Sequence, residues 1–362
     1  MLPLLSVSYF YIYSGGERMN KRGTVLIVLV CFLFSLSGCT PRATRYQAEF
    51  LTLFDTIPQI VAYRQTKAEF EKLSQDIHDE LLSYHQLYDI YKDYDGIVNM
   101  KTINDSAGKA PVKVDQKIID LLLFSKEMYG KTNGKVNIAM GSVLKIWHDY
   151  REEGIDDPEN AKVPPKELLK KAAEHTDITK VIINEADSTV FLSDPEMRLD
   201  VGAIAKGYAT EMVSRKFSSV IISVGGNVKA MGFKDEKKTP WNTGIENPDR
   251  ESEKRELYIV TIHDAALVTS GDYQRYYTVD GKQYHHIIDP DTLMPQNTYR
   301  AVTIVAADSG VADALSTALF NMSVEEGTKL IHQLGDIQVL WVFQDQTVRY
   351  SDGFEALIKK DA

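Results

Sequence analysis

The chain has 362 residues, 44% of them hydrophobic and 25% charged, a composition that builds a sizeable globular core and excludes disorder of the whole chain. Its formal net charge is -10, from 51 acidic and 41 basic residues; that balance argues against nucleic acid as a partner and against broad adhesion to anionic lipid, since both depend on positive charge. The two cysteines, Cys31 and Cys39, lie near the N-terminus, so the body after them has no disulfide framework, thiolate zinc site or catalytic thiol.

In chain order, the first feature is an address. Met19-Asn20-Lys21-Arg22 is basic, Gly23 to Leu36 is apolar, and Leu36-Ser37-Gly38-Cys39 follows at once. Positive charge, a short apolar core and then small residues make a secretory signal, and the apolar run is short for a spanning helix. The ending resembles a bacterial lipobox, which implies cleavage before Cys39 and a lipid on its thiol. That would anchor the protein at the cell membrane on the extracytoplasmic face. The other reading is an uncleaved signal anchor in which Cys39 is incidental. Met19 reads as a better start than Met1, which makes residues 1–18 an extension ahead of the signal. The division is then 1–39 for the signal peptide, 40–48 for a tether and 49–362 for the working domain.

Phe50 to Tyr63 alternates as a strand, with Pro58 confining its middle to an edge or bulge. Phe70, Leu73, Ile77, Leu81, Tyr84 and Tyr88 recur at three and four, which predicts a helix over Lys67 to Tyr88. Asp115 to Tyr129 is a second helix, and Pro164-Pro165 opens a third over Lys166 to His175. Val181 to Asn184 and Thr189 to Leu192 read as a hairpin. A helix begun near Ala203 continues from Tyr208 to Phe217. Val220 to Val224, Trp241 to Ile245, Leu257 to His263, Leu267 to Thr269, Tyr284 to Ile288 and Ala301 to Ala306 read as strands. Helices over Asp308 to Asn321 and Val324 to Leu334 precede a closing strand, Ile337 to Phe343. No regular βαβ repeat appears, so the pattern predicts one α+β domain.

Four stretches carry chemistry. In Arg198 to Tyr208, a strand ends at Asp200 and small residues lead into a helix; its free N–H groups and Lys206 suit a phosphate, or the stretch is a capped helix start with a surface lysine. Gly225-Gly226-Asn227 lies against a ligand or makes a hairpin bend. Thr269 to Tyr273 offers N–H donors, and His285-His286 before Asp289-Pro290 offers a base with an orienting carboxylate. Alternation sends the two histidines to opposite faces, so at most one faces a site. Asp313 and Thr317 stand four apart on a helix, a hard-oxygen pair suited to Mg²⁺, while Ser316 turns away. The alternative there is an aspartate serving the helix dipole, with Thr317 bonded back to its own helix.

Taken in that order, with Phe54-Asp55-Thr56, Thr132-Asn133-Gly134 through Trp147, and Asp313-Ala314-Leu315-Ser316-Thr317, these motifs resemble the ApbE family of FAD:protein FMN transferases from about Phe50 to Leu334. The resemblance implies an α+β, T-fold-like architecture of mixed sheets and packed helices, with FAD between two lobes. It implies Mg²⁺ on the Ala203 carbonyl, Asp313 and Thr317. Phe54, Tyr91, Val136, Asn137, Ile138, Asp200, Lys206 and Ile288 would line the FAD site. His286 would be the base, with Asp289 beside it and Lys206 offsetting charge. Asn137 stands where the family often has aspartate, and Phe54-Asp55-Thr56 replaces the frequent Met-Gly-Thr. The implied reaction moves FMN from FAD to a Ser/Thr hydroxyl of an exported acceptor flavoprotein of a membrane redox complex and releases AMP. Hydrolysis of FAD to FMN and AMP, and a non-catalytic FAD-binding lipoprotein, are the alternatives.

Overall fold

The computed structural model describes residues 43–360, so the signal, Cys31 and Cys39 lie outside the described residues. Eight strands form one sheet in which spatial order follows chain order: Thr44–Glu49, Gln59–Arg64, Val220–Val224, Asn227–Met231, Ala265–Gly271, Tyr299–Ala306, Gln338–Phe343 and Val348–Tyr350. Each neighbouring pair is antiparallel. The sheet is therefore an interrupted meander, and the helices are insertions between its strands. That is why the sequence shows α+β order without a βαβ repeat. The ladders of the smaller sheets are antiparallel as well, which corrects the expectation of mixed sheets.

Period-two alternation buries both faces of the sheet. Ala266, Val268, Val302, Ile304, Val339 and Trp341 face the helices, and the intervening Leu267, Ala301, Val305, Leu340 and Val342 pack under the hairpin Trp241–Glu246/Glu256–Ile262. Ser309–Phe320 is buried along almost its whole length, as expected of a helix covered by the sheet on one side and by Ala205–Ser214 on the other. Gly207 permits that second approach: a Cβ there would lie 2.3 Å from Asp313 Cβ and from the Ser309 carbonyl.

The helix Lys67–Tyr88 begins where its capping box, Thr66 with Glu69, satisfies the first N–H groups. Gln116–Lys131 starts under an Asp115 cap and Lys166–Ala173 follows the proline pair. The hairpin Val181–Asn184/Thr189–Leu192 forms as expected. No described helix is long and apolar enough to cross a membrane.

Three expectations need correction. Residues 44–48 of the expected tether are sheet: Tyr46 and Ala48 pack on the core, and their polar neighbours face outward along an edge strand. Phe50 to Tyr63 is not one strand. Only Gln59–Arg64 is extended in the sheet, because the chain turns at Phe54 and Asp55, both at positive φ. The strand expected over Tyr284 to Ile288 is Lys282–His285 and leaves the ladder at His286. The helices Met100–Asp105 and Gly141–Asp156 had no counterpart in the sequence reading.

Candidate active site

A cleft of about 320 Å³ opens where the turn after Val220–Val224 and the end of Ala265–Gly271 meet the loop from Asp200 to Lys206, a size in the range of small-ligand sites. Gly225 and Gly226, at φ 53° and 89°, make the two-residue turn that joins adjacent strands. A Cβ on Gly225 would lie 2.1 Å from Thr56 Cγ2. The hairpin bend and the close approach are thus the same feature, and it draws the Leu53-to-Thr56 turn onto the cleft.

The loop after Asp200 is braced from within. Asp200 N–H donates to the Ile138 carbonyl at 2.8 Å, and its Oδ1 accepts from Gly202 N–H at 2.8 Å. Burial pushes the Asp200 carboxyl up against the pull of that N–H, His148, Lys206 and Arg151. Lys206 Nζ donates to the Gly202 carbonyl at 3.1 Å. Of the residues expected at the flavin, Phe54, Tyr91, Val136, Asn137, Asp200, Lys206 and Ile288 line the cleft. Ile138 does not: it is 1% exposed, in the core, and contributes its carbonyl. The Asn137 amide is used on the backbone, accepting from Ala139 N–H and donating to the Thr176 carbonyl, each at 2.9 Å.

Ala203, Asp313 and Thr317 meet in the same cleft. Gly207 N–H, which would ordinarily bond the carbonyl four residues back, donates to Asp313 Oδ2 at 2.7 Å. The Ala203 carbonyl accordingly receives no hydrogen bond among the described residues. The Thr317 carbonyl accepts from Asn321 Nδ2 at 3.3 Å, but its hydroxyl is not bonded back to the helix in the way of Ser125 and Thr132. Burial pushes the Asp313 carboxyl up, with Lys206, Gly207 N–H and Asn227 pulling the other way. Asn227 Oδ1, buried beside it, has no partner. The helix cap is Asp308, not Asp313. A buried, under-compensated carboxylate, a free hydroxyl and a free carbonyl fit a hard cation such as Mg²⁺. Among the described residues no three His, Cys, Asp or Glu side chains converge, so such an ion would draw its remaining ligands from substrate and water. Ser316 faces away, bonding Ser270 Oγ at 2.7 Å and the Asp313 carbonyl at 2.8 Å.

The two histidines separate as alternation requires. His285 is consumed internally: Nε2 lies 2.7 Å from the Gln296 carbonyl and Nδ1 accepts Ile287 N–H at 3.2 Å. The His286 ring is exposed to the cleft, with Nδ1 3.3 Å from the Arg275 carbonyl. A carbonyl only accepts, so this contact puts the proton on Nδ1 and leaves the Nε2 lone pair free. Enclosure by the cleft walls, then the charge of Arg275, the neighbouring His285, and Lys206 and Arg151, hold the imidazole well below its ordinary pKa. Asp289 does not orient this ring. Lys135 Nζ donates to it at 2.8 Å and to Asp291 at the same distance, because the chain turns at Asp289 and its N–H bonds the Met294 carbonyl. The main-chain carbonyl of Arg275 takes the place expected of Asp289.

The cleft also holds residues the sequence reading did not single out: Arg275, Arg151, His148 and His85. Arg151 lies 2.8 Å from His148 Nδ1, and the His148 ring packs on Tyr91 at 5.3 Å. Arg275 stands two residues beyond the Thr269-to-Tyr273 motif, which was a usable signal. The others lie on helices whose pattern reports only packing.

The sequence profile of the ApbE family matches residues 54–341. An FAD:protein FMN transferase of Treponema pallidum is 32% identical over 346 residues, covering 90% of this chain and 92% of its own. One from Klebsiella pneumoniae is 30% identical over 284 residues, covering 75% and 85%. Among solved structures, the ApbE protein of Thermotoga maritima, at 27% identity, superimposes with a TM-score of 0.75 over 88% of this chain and 100% of that one. The flavin transferase ApbE of Vibrio cholerae, at 24% identity and a TM-score of 0.71, shares the fold.

Proposed function

This chain belongs to the ApbE family, and from that premise we propose that it moves the FMN half of FAD onto a Ser/Thr hydroxyl of an acceptor flavoprotein and releases AMP. Flavin transfer is the activity named for its curated relatives. The observation that carries the finer reading is the pairing in one cleft of a buried carboxylate, Asp313, with a histidine, His286, kept neutral by enclosure and then by the surrounding cations.

The residues divide the work. Lys206, Arg151 and Arg275 offset the negative charge of the FAD pyrophosphate and of the phosphate that leaves with AMP. Ala203, Asp313 and Thr317 would hold Mg²⁺, which would polarise the phosphorus and neutralise developing charge. His286 takes the acceptor hydroxyl's proton at Nε2 as the new O–P bond to FMN forms and the P–O bond to AMP breaks. The Arg275 carbonyl fixes the tautomer that makes this possible. The lipobox supports an anchor at Cys39 on the extracytoplasmic face, where a membrane-associated acceptor complex would be within reach.

The test is to incubate the chain with FAD, Mg²⁺ and a candidate acceptor domain and to weigh the acceptor. A gain equal to FMN that chelator abolishes supports transfer. AMP and free FMN in the presence of several unlabelled acceptors would replace it with hydrolysis, and intact bound FAD with a carrier.

A further inference from the structure

We propose that His85 is a positioning residue for this cleft: in one fixed tautomer it latches the strained turn at Phe54 and Asp55 on one wall and, through Tyr94, the Asp89-to-Lys92 segment on the adjoining wall. The functional part of this inference rests on the cleft being the FAD site; the latch itself does not.

Phe54 and Asp55 stand at φ 53° and 55°. Aspartate tolerates the left-handed region, but a bulky phenylalanine does so only when its surroundings force it. Leu53 and Thr56 close the turn with two backbone hydrogen bonds of 3.1 and 3.0 Å. Phe54 N–H points out of the turn and donates to His85 Nδ1 at 3.2 Å, and the two rings meet edge-on at 5.4 Å. A nitrogen that accepts this bond carries no proton, so the ring proton is on Nε2. Nε2 lies 3.2 Å from Tyr94 Oη, and the Tyr94 hydroxyl donates to Asp89 Oδ2 at 2.7 Å. Asp89 Oδ1 accepts the N–H groups of Tyr91 and Lys92 at 2.7 and 3.0 Å. The donors of the imidazole and the tyrosine thus run one way, from His85 to Asp89. The relay ends on the segment that carries Tyr91, itself against His148 in the cleft wall. Burial lowers the His85 pKa against the opposing pull of Asp89 and Asp55, with Lys92 adding to the lowering, which favours the neutral form the latch needs.

Hydrogen exchange of the free full chain reads the latch without flavin. His85→Leu should speed exchange at Phe54, Tyr91 and Lys92 by about tenfold or more while core amides keep their protection. His85→Asn, whose Oδ1 falls near the place of Nδ1, should restore Phe54 alone, and Tyr94→Phe should loosen Tyr91 and Lys92 alone. With FAD, His85→Leu should weaken flavin binding about tenfold while kcat stays within about threefold. Unchanged exchange in His85→Leu, or His85→Asn as loose at Phe54 as His85→Leu, overturns the latch. If the unaltered chain binds no FAD, the functional reading fails while the exchange pattern still decides the latch.

Discussion

Replacing Asp313 by asparagine should stabilise the protein when no divalent cation is present. Asp313 is 4% exposed, and burial raises the pKa of its carboxyl against the pull of Lys206, Gly207 N–H and Asn227. Asparagine keeps the shape, and its Oδ1 can still accept from Gly207 N–H. Only the charge goes, and a buried group left incompletely satisfied costs about 1–3 kcal/mol. At about 2–4 °C per kcal/mol for a large domain, the melting temperature should rise by roughly 2–12 °C. The sign has a pH signature. A carboxyl whose folded pKa lies above its unfolded value, 3.8, binds its proton more tightly when folded. Its contribution therefore destabilises as pH climbs from the unfolded value through the folded one. The gain from asparagine should be full at neutral pH and vanish near about pH 4. Thermal melts in chelator at both pH values, repeated with Mg²⁺, make the assay. Saturating Mg²⁺ should add about 2.7 kcal/mol to the unaltered chain at a hundred times Kd, and nothing comparable to the variant. A variant less stable in chelator at neutral pH, or a gain that ignores pH, refutes the argument.

Gly207→Ala should cost about 1–3 kcal/mol through overpacking, since its Cβ would press on Asp313 and Ser309. It should also weaken Mg²⁺ binding by shifting Asp313. Gly130→Ala is the control: apart from its own helix backbone and chain neighbours, nothing lies within 4 Å of the added methyl, so urea melts should show a gain of up to about 1 kcal/mol. Glu211→Gln should lower the urea midpoint by about 3–5 kcal/mol worth of stability. Glu211 accepts from Ser309 N–H and Lys229, each at 2.9 Å, and Lys229 is buried. An unchanged midpoint would show that Lys229 is satisfied by the Ala307 carbonyl alone.

The sequence revealed elements whose cause is local. Lys67–Tyr88 was legible at both ends because Thr66 and Glu69 form the cap and the apolar spacing never breaks. The helix Ser309–Phe320 was legible because its alanines and leucines run almost unbroken, and Asp313 and Thr317, four apart among them, stood out as a pair on one face. What stayed hidden has distant causes. The turn at Phe54 and Asp55 contains no glycine, and its hold is a histidine 31 residues away. Gly141–Asp156 begins at Met140 with no side-chain cap, so nothing announced it. Asp289 stands three residues from His286, and proximity in sequence suggested partnership. A turn sends its carboxylate to Lys135 instead, which no pattern of residue types encodes.

The cations of the cleft explain how an acidic protein can take an anionic substrate, and they bind two properties together. Arg275, Lys206 and Arg151 raise the local potential that attracts a pyrophosphate. Enclosure, and then the same charges, hold His286 low, so the proposed base is deprotonated before substrate arrives. Bound FAD would then oppose those cations with its own negative charge. An anion nearby favours the protonated imidazole, so the His286 pKa should rise in the complex and the imidazole should become a stronger base when the hydroxyl needs one. The acid limb of kcat/KM reports the free enzyme and that of kcat reports the complex. The kcat/KM limb should fall below the ordinary histidine value of about 6.5, and the kcat limb should lie at higher pH. His286→Gln should remove both limbs together with most turnover while leaving FAD bound. Coincident limbs, or a kcat limb at lower pH than the kcat/KM limb, would mean that the substrate's charge does not reach the base.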